Sequence, residues 1–261
     1  MKPKLRGVNA ANARADDADD ADDADDAAMS KRLTCELFFD VVSPYTHFAL
    51  HVWSRYAQIW PVDLKLRPML LGGVMKATGN SPPGTLPQRA AYLQQDLRRN
   101  AALFAVDILP VPNNFISEVA RAVVHVQRVL CAAQASGASD DAATLALALG
   151  FSRAIHAEAS LRSEGDLDLG ENVMRFAFED AGVAPETAAA LLQAARGDDA
   201  KTALRRNTDE AVERGVYGSP TAFLSDGERD EAMVFGSDRF EQLAHHFSLP
   251  YFGPDPARAR L

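Results

Sequence analysis

The sequence predicts an α/β fold: a small mixed sheet whose two halves are separated by a long all-helical stretch. Three observations carry this. Residues 33–67 read strand, helix, strand; residues from about 87 to 214 are rich in Ala and lack strand alternation; residues 221–247 read strand, strand, helix.

The first strand is expected over 33–42, where Phe38 and Phe39 sit in an apolar run closed by Ser43-Pro44. From 44 to 59, Phe48, Val52, Tyr56 and Ile59 recur at helical spacing. Residues 62–67 alternate apolar and polar, a second strand with one polar face. Such a βαβ unit requires parallel strands and a right-handed crossover. Residues 71–86, with Gly72, Gly73, Gly79, Pro82, Pro83 and Gly84, read as loop.

Helices are then expected over 87–105, 115–133, 141–159, 169–181, 185–195 and 199–214, the last stopped by Gly215. Residues 221–224 and 232–235 flank Asp226-Gly227 as a hairpin, and a final helix starts near Ser237-Asp238 and reaches Phe247. Joining the outer parts gives a thioredoxin-like four-stranded mixed sheet, with a large all-α domain inserted between the βαβ and ββα halves. The expected division is a sheet domain of residues 31–86 and 200–250, a helical domain of 87–199, and tails at 1–30 and 251–261.

The chain has 261 residues, 47% hydrophobic and 24% charged, a composition suited to a soluble globular protein. Its net charge is −9 and its pI about 5.1, with no basic cluster, which argues against nucleic-acid or anionic-membrane partners. Residues 1–28 hold eight Asp against four Lys and Arg, and 15–26 repeat Ala-Asp-Asp four times. This tail is expected to be disordered, and its acidity is opposite to that of a mitochondrial presequence. Met29 stands at its end as an alternative start. The two cysteines, Cys35 and Cys131, form no CxxC pair, so neither a disulfide framework nor a zinc site is expected. The longest apolar run, 145–151, is far short of the roughly 18 residues that span a bilayer. At the other end, Ala259-Arg260-Leu261 resembles an SKL-type peroxisomal address, presented by a flexible 251–258 segment rich in Pro and Gly.

Three stretches carry chemistry. Ser43 stands at the N-cap and Pro44 at the first position of the first helix, where ligands gather at the carboxyl end of a strand. Ser43 therefore fits two roles, a helix cap or a group aimed at a substrate. Ser219-Pro220 precedes a strand; a trans proline there starts the strand, whereas a cis one faces the preceding N–H and C=O toward a peptide-like ligand. Ser237-Asp238 opens the last helix. The pair can cap that helix, or hold the carboxylate and ammonium of a free amino-acid head. His47 and His51, four residues apart without an HExxH acid, read as surface histidines, as do His245 and His246, and no metal is expected.

The stretches LFFDVVSPY, LRPMLLGGVMKATGNSPPG, FGSDRF followed by LAHH, and the closing GPDPARARL resemble the kappa-class glutathione transferases over about residues 34–261. The resemblance implies glutathione as co-substrate, with no other cofactor, and a homodimer. It implies that Ser43 hydrogen-bonds the glutathione sulfur beside Pro44 and Tyr45. The backbone of Ser219 before cis Pro220 would pair with the cysteinyl unit, and Ser237 and Asp238 would hold the γ-glutamyl end. Asn80 would lie near the glycyl end or the sulfur, and Arg89 stands where many members carry Lys. Ser219 replaces a frequent leucine, and Thr46-His47 replaces a Ser-aromatic pair, which bears on the second-substrate pocket. The implied activity is conjugation of glutathione to small electrophiles. A glutathione-dependent isomerase of the 2-hydroxychromene-2-carboxylate type and a glutathione-dependent peroxide reductase are the alternatives. The family occurs in mitochondria and peroxisomes; with the Ala-Arg-Leu end, a peroxisome-like organelle is expected, with mitochondrial matrix or cytosol as alternatives.

Overall fold

The computed structural model describes residues 32–136 and 141–258. The Ala-Asp-Asp tail, Met29 and the terminal Ala259-Arg260-Leu261 lie outside them.

A four-stranded sheet of order β2-β1-β5-β6 organises the chain. Strands β1 (Leu33–Phe39) and β2 (Val62–Pro68) are parallel, joined by helix α1 (Pro44–Tyr56). Strand β5 (Thr221–Ser225) runs antiparallel to β1, with Phe38 opposite Thr221, and β6 (Ala232–Phe235) pairs antiparallel with β5. The register places the carboxyl end of β1 next to the start of β5, which is where Ser43 and Ser219 meet.

The alternation in β2 has the expected effect: Val62, Leu64, Leu66 and Pro68 are buried while Asp63, Lys65 and Arg67 point the other way. On one face of the sheet, Leu33, Cys35, Leu37 and Phe39 join a core that continues into α1 and the inserted helices. On the other, Phe38 and Phe223 pack edge to face with ring centres 5.7 Å apart. Arg214 lies 3.8 Å over the Phe223 ring and binds Glu36 at 2.6 Å and Glu231 at 2.8 Å. Arg67 bridges Glu36 and Glu210 in the same network.

Helix α1 is held on all sides. Ser43 caps it, Pro44 occupies its first turn, and Phe48, Leu50, Val52, Trp53 and Tyr56 are buried. His47 is fully buried and His51 partly so, with the inserted helix α5 (Asp141–His156) placing His156 beside His47 and Arg153 near His51, so neither is a free surface residue. The His47 ring lies between Ser152 Oγ (2.9 Å from Nδ1) and the Asp107 carbonyl (3.0 Å from Nε2).

Residues 71–78, expected as loop, form helix α2 (Leu71–Thr78). Tertiary partners outweigh the low propensity of Gly72 and Gly73. The Leu71 N–H donates to Asp40 Oδ2 at 2.8 Å, and Thr208 Oγ1 accepts the Leu70 N–H at 3.0 Å. A Cβ on Gly73 would lie 3.1 Å from Thr208 Cγ2, so glycine lets the two segments approach without Thr208 giving way.

Between the βαβ and ββα parts the chain forms α3 (Pro87–Phe104), a π-turn (Phe115–Val119) into α4 (Ala120–Ala135), α5, α6 (Glu171–Asp180), α7 (Pro185–Ala194) and α8 (Asp198–Glu213), whose Ala211 packs with Phe38 and Phe223 of the sheet. Between α5 and α6 lies a small hairpin, β3 (Arg162–Ser163) with β4 (Asp166–Leu167), too short to leave an alternating pattern. The last helix, α9, is Phe240–Phe247, three residues later than Ser237. Neither Ser237 nor Asp238 caps it, since Gly236 turns the chain at φ +102° and no side chain bonds the α9 N-terminus.

The 251–258 segment is not a free tail. Tyr56 Oη donates to the Gly253 carbonyl (2.6 Å) and accepts the Phe252 N–H (2.9 Å), Arg55 binds the Pro254 carbonyl at 2.8 Å, and Pro256 is buried. Among the described residues no helix is long and apolar enough to cross a membrane.

Candidate active site

The start of α1 faces the loop before β5. Ser43 has extended backbone (φ −78°, ψ 123°), and its Oγ accepts the Thr46 N–H at 3.4 Å, the capping geometry. The same hydroxyl donates to the Ser219 carbonyl at 3.0 Å. The Ser219–Pro220 bond is cis. Ser219 Oγ accepts the Asp40 N–H at 2.9 Å and lies 2.8 Å from Thr46 Oγ1.

Beneath this group, Asp40 is wholly buried, its Oδ1 accepting the Val42 N–H at 3.0 Å and its Oδ2 the Leu71 N–H. Burial pushes its carboxyl up to about 6, although the two N–H donors pull the other way. Gln127, from α4, is also fully buried. Its Nε2 donates to the Phe39 carbonyl (2.8 Å) and the Met69 carbonyl (2.7 Å), joining the ends of β1 and β2. The inserted helices thus fix the floor on which Ser43 stands.

Above the floor is a cavity of about 640 Å³, lined by Ser43, Pro44, Tyr45, Asn80, Arg89 and Ser219 among others. Leu71, Met75, Leu93, Val111, Phe115 and Ile116 form its apolar wall. Tyr45 Oη donates to Asp96 Oδ2 at 2.6 Å, tying α1 to α3; burial, then this bond, pushes the phenol up. Asn80 Nδ2 donates to the Tyr217 carbonyl at 2.7 Å, pinning the 80–84 loop to the segment before Ser219. Arg89 has no partner among the described residues. Tyr217 and Phe235 form an aromatic rim with ring centres 4.7 Å apart. Gly218 lies under Phe235, where a Cβ would come within 2.6 Å of the ring.

The structure therefore gathers Ser43, Pro44, Tyr45, Asn80, Arg89 and Ser219 around one space. Pro220 is buried behind Ser219, and its carbonyl accepts the Gly236 N–H at 3.0 Å. That bond sets the Ser237-Asp238 turn beside the cis proline; neither residue lines the cavity, but the Asp238 charge reaches Tyr45 on its wall and helps push that phenol up. Ser237 is buried, while Asp238 is exposed beside Arg239 at 3.4 Å. Asp40, Gln127, the Thr46 hydroxyl and Asp96 were not singled out by sequence, since each acts through a partner far along the chain.

The positions that would carry two thiols at this helix start are Ser43 and Thr46, and Cys35 and Cys131 are both buried and unpaired. A dithiol exchange cannot run here. Among the described residues no group of three or more His, Cys, Asp and Glu could hold a metal ion.

Comparison with known proteins agrees with this geometry. The model of the DSBA-like thioredoxin domain matches residues 34–248. Glutathione S-transferase kappa 1 of Rattus norvegicus is 34% identical over 223 residues, covering 85% of this chain and 93% of that one. A 2-hydroxychromene-2-carboxylate isomerase of Pseudomonas sp. (strain C18) is 28% identical over 221 residues, covering 80% and 87%. The solved structure of a 2-hydroxychromene-2-carboxylate isomerase superposes with a TM-score of 0.64 at 23% identity, over 82% of this chain and 94% of that one, and shows the shared fold. With a DSBA-like thioredoxin domain and this degree of identity, the chain belongs to the kappa-class glutathione S-transferases, a family of enzymes.

Proposed function

We propose that the protein binds glutathione along Ser219 and Ser43, holds its sulfur as thiolate, and adds it to small electrophiles. The observation that carries this is the Ser43 hydroxyl at the N-terminus of α1, 3.0 Å from the carbonyl before the cis proline and open to a mostly apolar cavity.

The energetics suffice. A cysteinyl thiol ionises near pH ~8.5, and bringing it to about 6.5 requires about 2.7 kcal/mol of preference for the thiolate. A helix N-terminus supplies roughly 0.3–1 and up to ~2 kcal/mol, and a hydrogen bond to a charged group roughly 1.5–3. Both converge at Ser43, which keeps its proton and donates it to the sulfur. The thiolate then forms the C–S bond, and an aryl halide loses halide with its electron pair. Leu71, Met75, Leu93 and Phe115 offer that second substrate a dry wall.

Titration with glutathione, followed by conjugation of a generic aryl halide by wild type and Ser43→Ala, tests the reading. Binding by both and a conjugation rate lower by about 10²-fold in the variant is expected, in the range for removing one positioned donor. Absence of binding to wild type ends it.

The 28% identity to an isomerase supports a second reading, in which the thiolate adds and later leaves. Product analysis separates them: free glutathione recovered with a rearranged substrate sinks conjugation. The proposal includes a homodimer, to be checked by light scattering. It also includes a peroxisome-like destination, which deletion of Ala259-Arg260-Leu261 should abolish.

A further inference from the structure

Ser43, Ser219 and Thr46 form a closed circuit. The Ser43 hydroxyl donates to the Ser219 carbonyl, the Ser219 hydroxyl pairs with that of Thr46, and the Thr46 N–H points back to Ser43 Oγ. All three side chains are buried.

A hydroxyl has one proton. While Ser43 gives it to the Ser219 carbonyl, it has none for a sulfur. A thiolate is the better acceptor, because a charge-assisted bond is about twice as strong as a neutral one. Turning away, however, leaves a buried carbonyl bare, and that loss opposes the gain. Ser43 is held weakly, since 3.0 Å is at the outer end of the O–H···O range, whose mode is about 2.7–2.8 Å. The Ser219 N–H has no partner among the described residues. Ser219 therefore offers the paired N–H and C=O that an extended peptide unit recognises.

We propose that the peptide ligand itself releases the Ser43 hydroxyl. The N–H of its cysteinyl residue takes over the Ser219 carbonyl, and the freed Ser43 proton turns to the sulfur of that same residue. This rests on the glutathione reading above. The carbonyl exchanges one donor for another, no covalent bond of the protein changes, and the thiol proton leaves to solvent. Thr46 and the Ser219 side chain are positioning residues, holding the carbonyl in place while its donor changes. Thiols without a neighbouring amide N–H fill the same space without drawing Ser43 off the carbonyl, so activation is reserved for peptide thiols.

The probes are glutathione and its ester analogue, in which oxygen replaces the cysteinyl N–H. The thiol pKa of each, bound to wild type, is read from thiolate ultraviolet absorbance. Glutathione should titrate lower by about one unit, a tenfold difference in ionisation, and the two should titrate together in Ser43→Ala. Equal values in wild type mean that the N–H merely occupies the carbonyl's second lone pair, and overturn the proposal; so does a difference that survives in Ser43→Ala.

S-Methylglutathione, whose sulfur cannot ionise, gives a second measurement independent of the ester. Ser43→Ala should bind it as tightly as wild type or up to a few-fold tighter, while binding glutathione about tenfold more weakly at a pH where the thiolate forms. Equal weakening of both ligands means that the hydroxyl grips the peptide, and overturns release. If wild type binds neither ligand, the glutathione reading itself falls, and the proposal with it.

Discussion

Thr46 Oγ1 and Ser219 Oγ, 173 residues apart in sequence, lie 2.8 Å from each other beneath the Ser43 hydroxyl. The Ser219 oxygen also accepts the Asp40 N–H, so it serves two partners and Thr46 serves it. Ser219→Ala strands a buried backbone donor, whereas Thr46→Val strands only a hydroxyl that keeps another bond. Ser219→Ala should therefore be the costlier change, about 1–3 kcal/mol against about 1. The double variant should fall short of the sum by about 0.5 kcal/mol or more, because the two share one interaction. Urea denaturation of the four proteins measures both.

Gln127 binds the Phe39 and Met69 carbonyls from a helix of the insertion, and all of these atoms are buried. Gln127→Leu keeps the bulk and leaves the buried Met69 carbonyl bare, at about 1–3 kcal/mol, while the Phe39 carbonyl keeps the Met69 N–H at 2.9 Å. A loss of about 1–3 kcal/mol in unfolding free energy is expected, with a lower kcat as the Asp40–Ser43 floor loosens. A loss under about 0.5 kcal/mol would show that the insertion does not fix the ends of β1 and β2.

The buried histidines set an acid limit. Burial pulls His47 down to about 4, and His51 and His156 down to about 3, from an ordinary value of 6.5. Arg153 lies close to both His47 and His51 and adds to the effect. Between about 6.5 and 3 the unfolded chain binds more protons at these sites, so stability falls as pH drops through that window. Asp40 works the other way: with its carboxyl raised from 3.8 to about 6, the folded state binds the extra proton between those values. Three groups against one leave a net loss on acidification. His156→Gln should lower the slope by up to about 1.4 kcal/mol per pH unit, read from denaturation at pH 7, 6, 5 and 4.

The parts of this molecule legible in its sequence are those whose signals are local. Ser43-Pro44 marks a helix start within two residues, and the alternation of Val62, Leu64 and Leu66 marks a strand with one wet face. Helix α2 escaped because its support is distant: Asp40 lies 31 residues from Leu71, and Thr208 lies 138 from Leu70. His47 and His51 look like surface residues until α5 covers them, and nothing near them in sequence announces that. The tail after α9 reads as loose from its Pro and Gly content. Yet Tyr56 and Arg55, nearly 200 residues earlier, tie it down. The Thr46–Ser219 pair is illegible for the same reason, and with it the side-chain half of the Ser219 contact.

Arg89 and Asp40 are the charged residues lining the cavity, and both Asp40 oxygens are already occupied by backbone N–H groups. A tripeptide with two carboxylates entering this space meets one cation that has no partner among the described residues. The guanidinium is exposed, so its pull is screened by salt and much of it is spent on water. Arg89→Ala should weaken glutathione binding by about 3- to 10-fold at low salt, an effect of roughly 0.7–1.4 kcal/mol, and by less at about 0.5 M salt. Arg89→Lys should recover most of it, since a point charge suffices where no bidentate geometry is imposed. Titration calorimetry at two salt concentrations decides. If the Ala variant binds like wild type at low salt, the glycyl end lies elsewhere and Arg89 serves the second substrate or nothing at all.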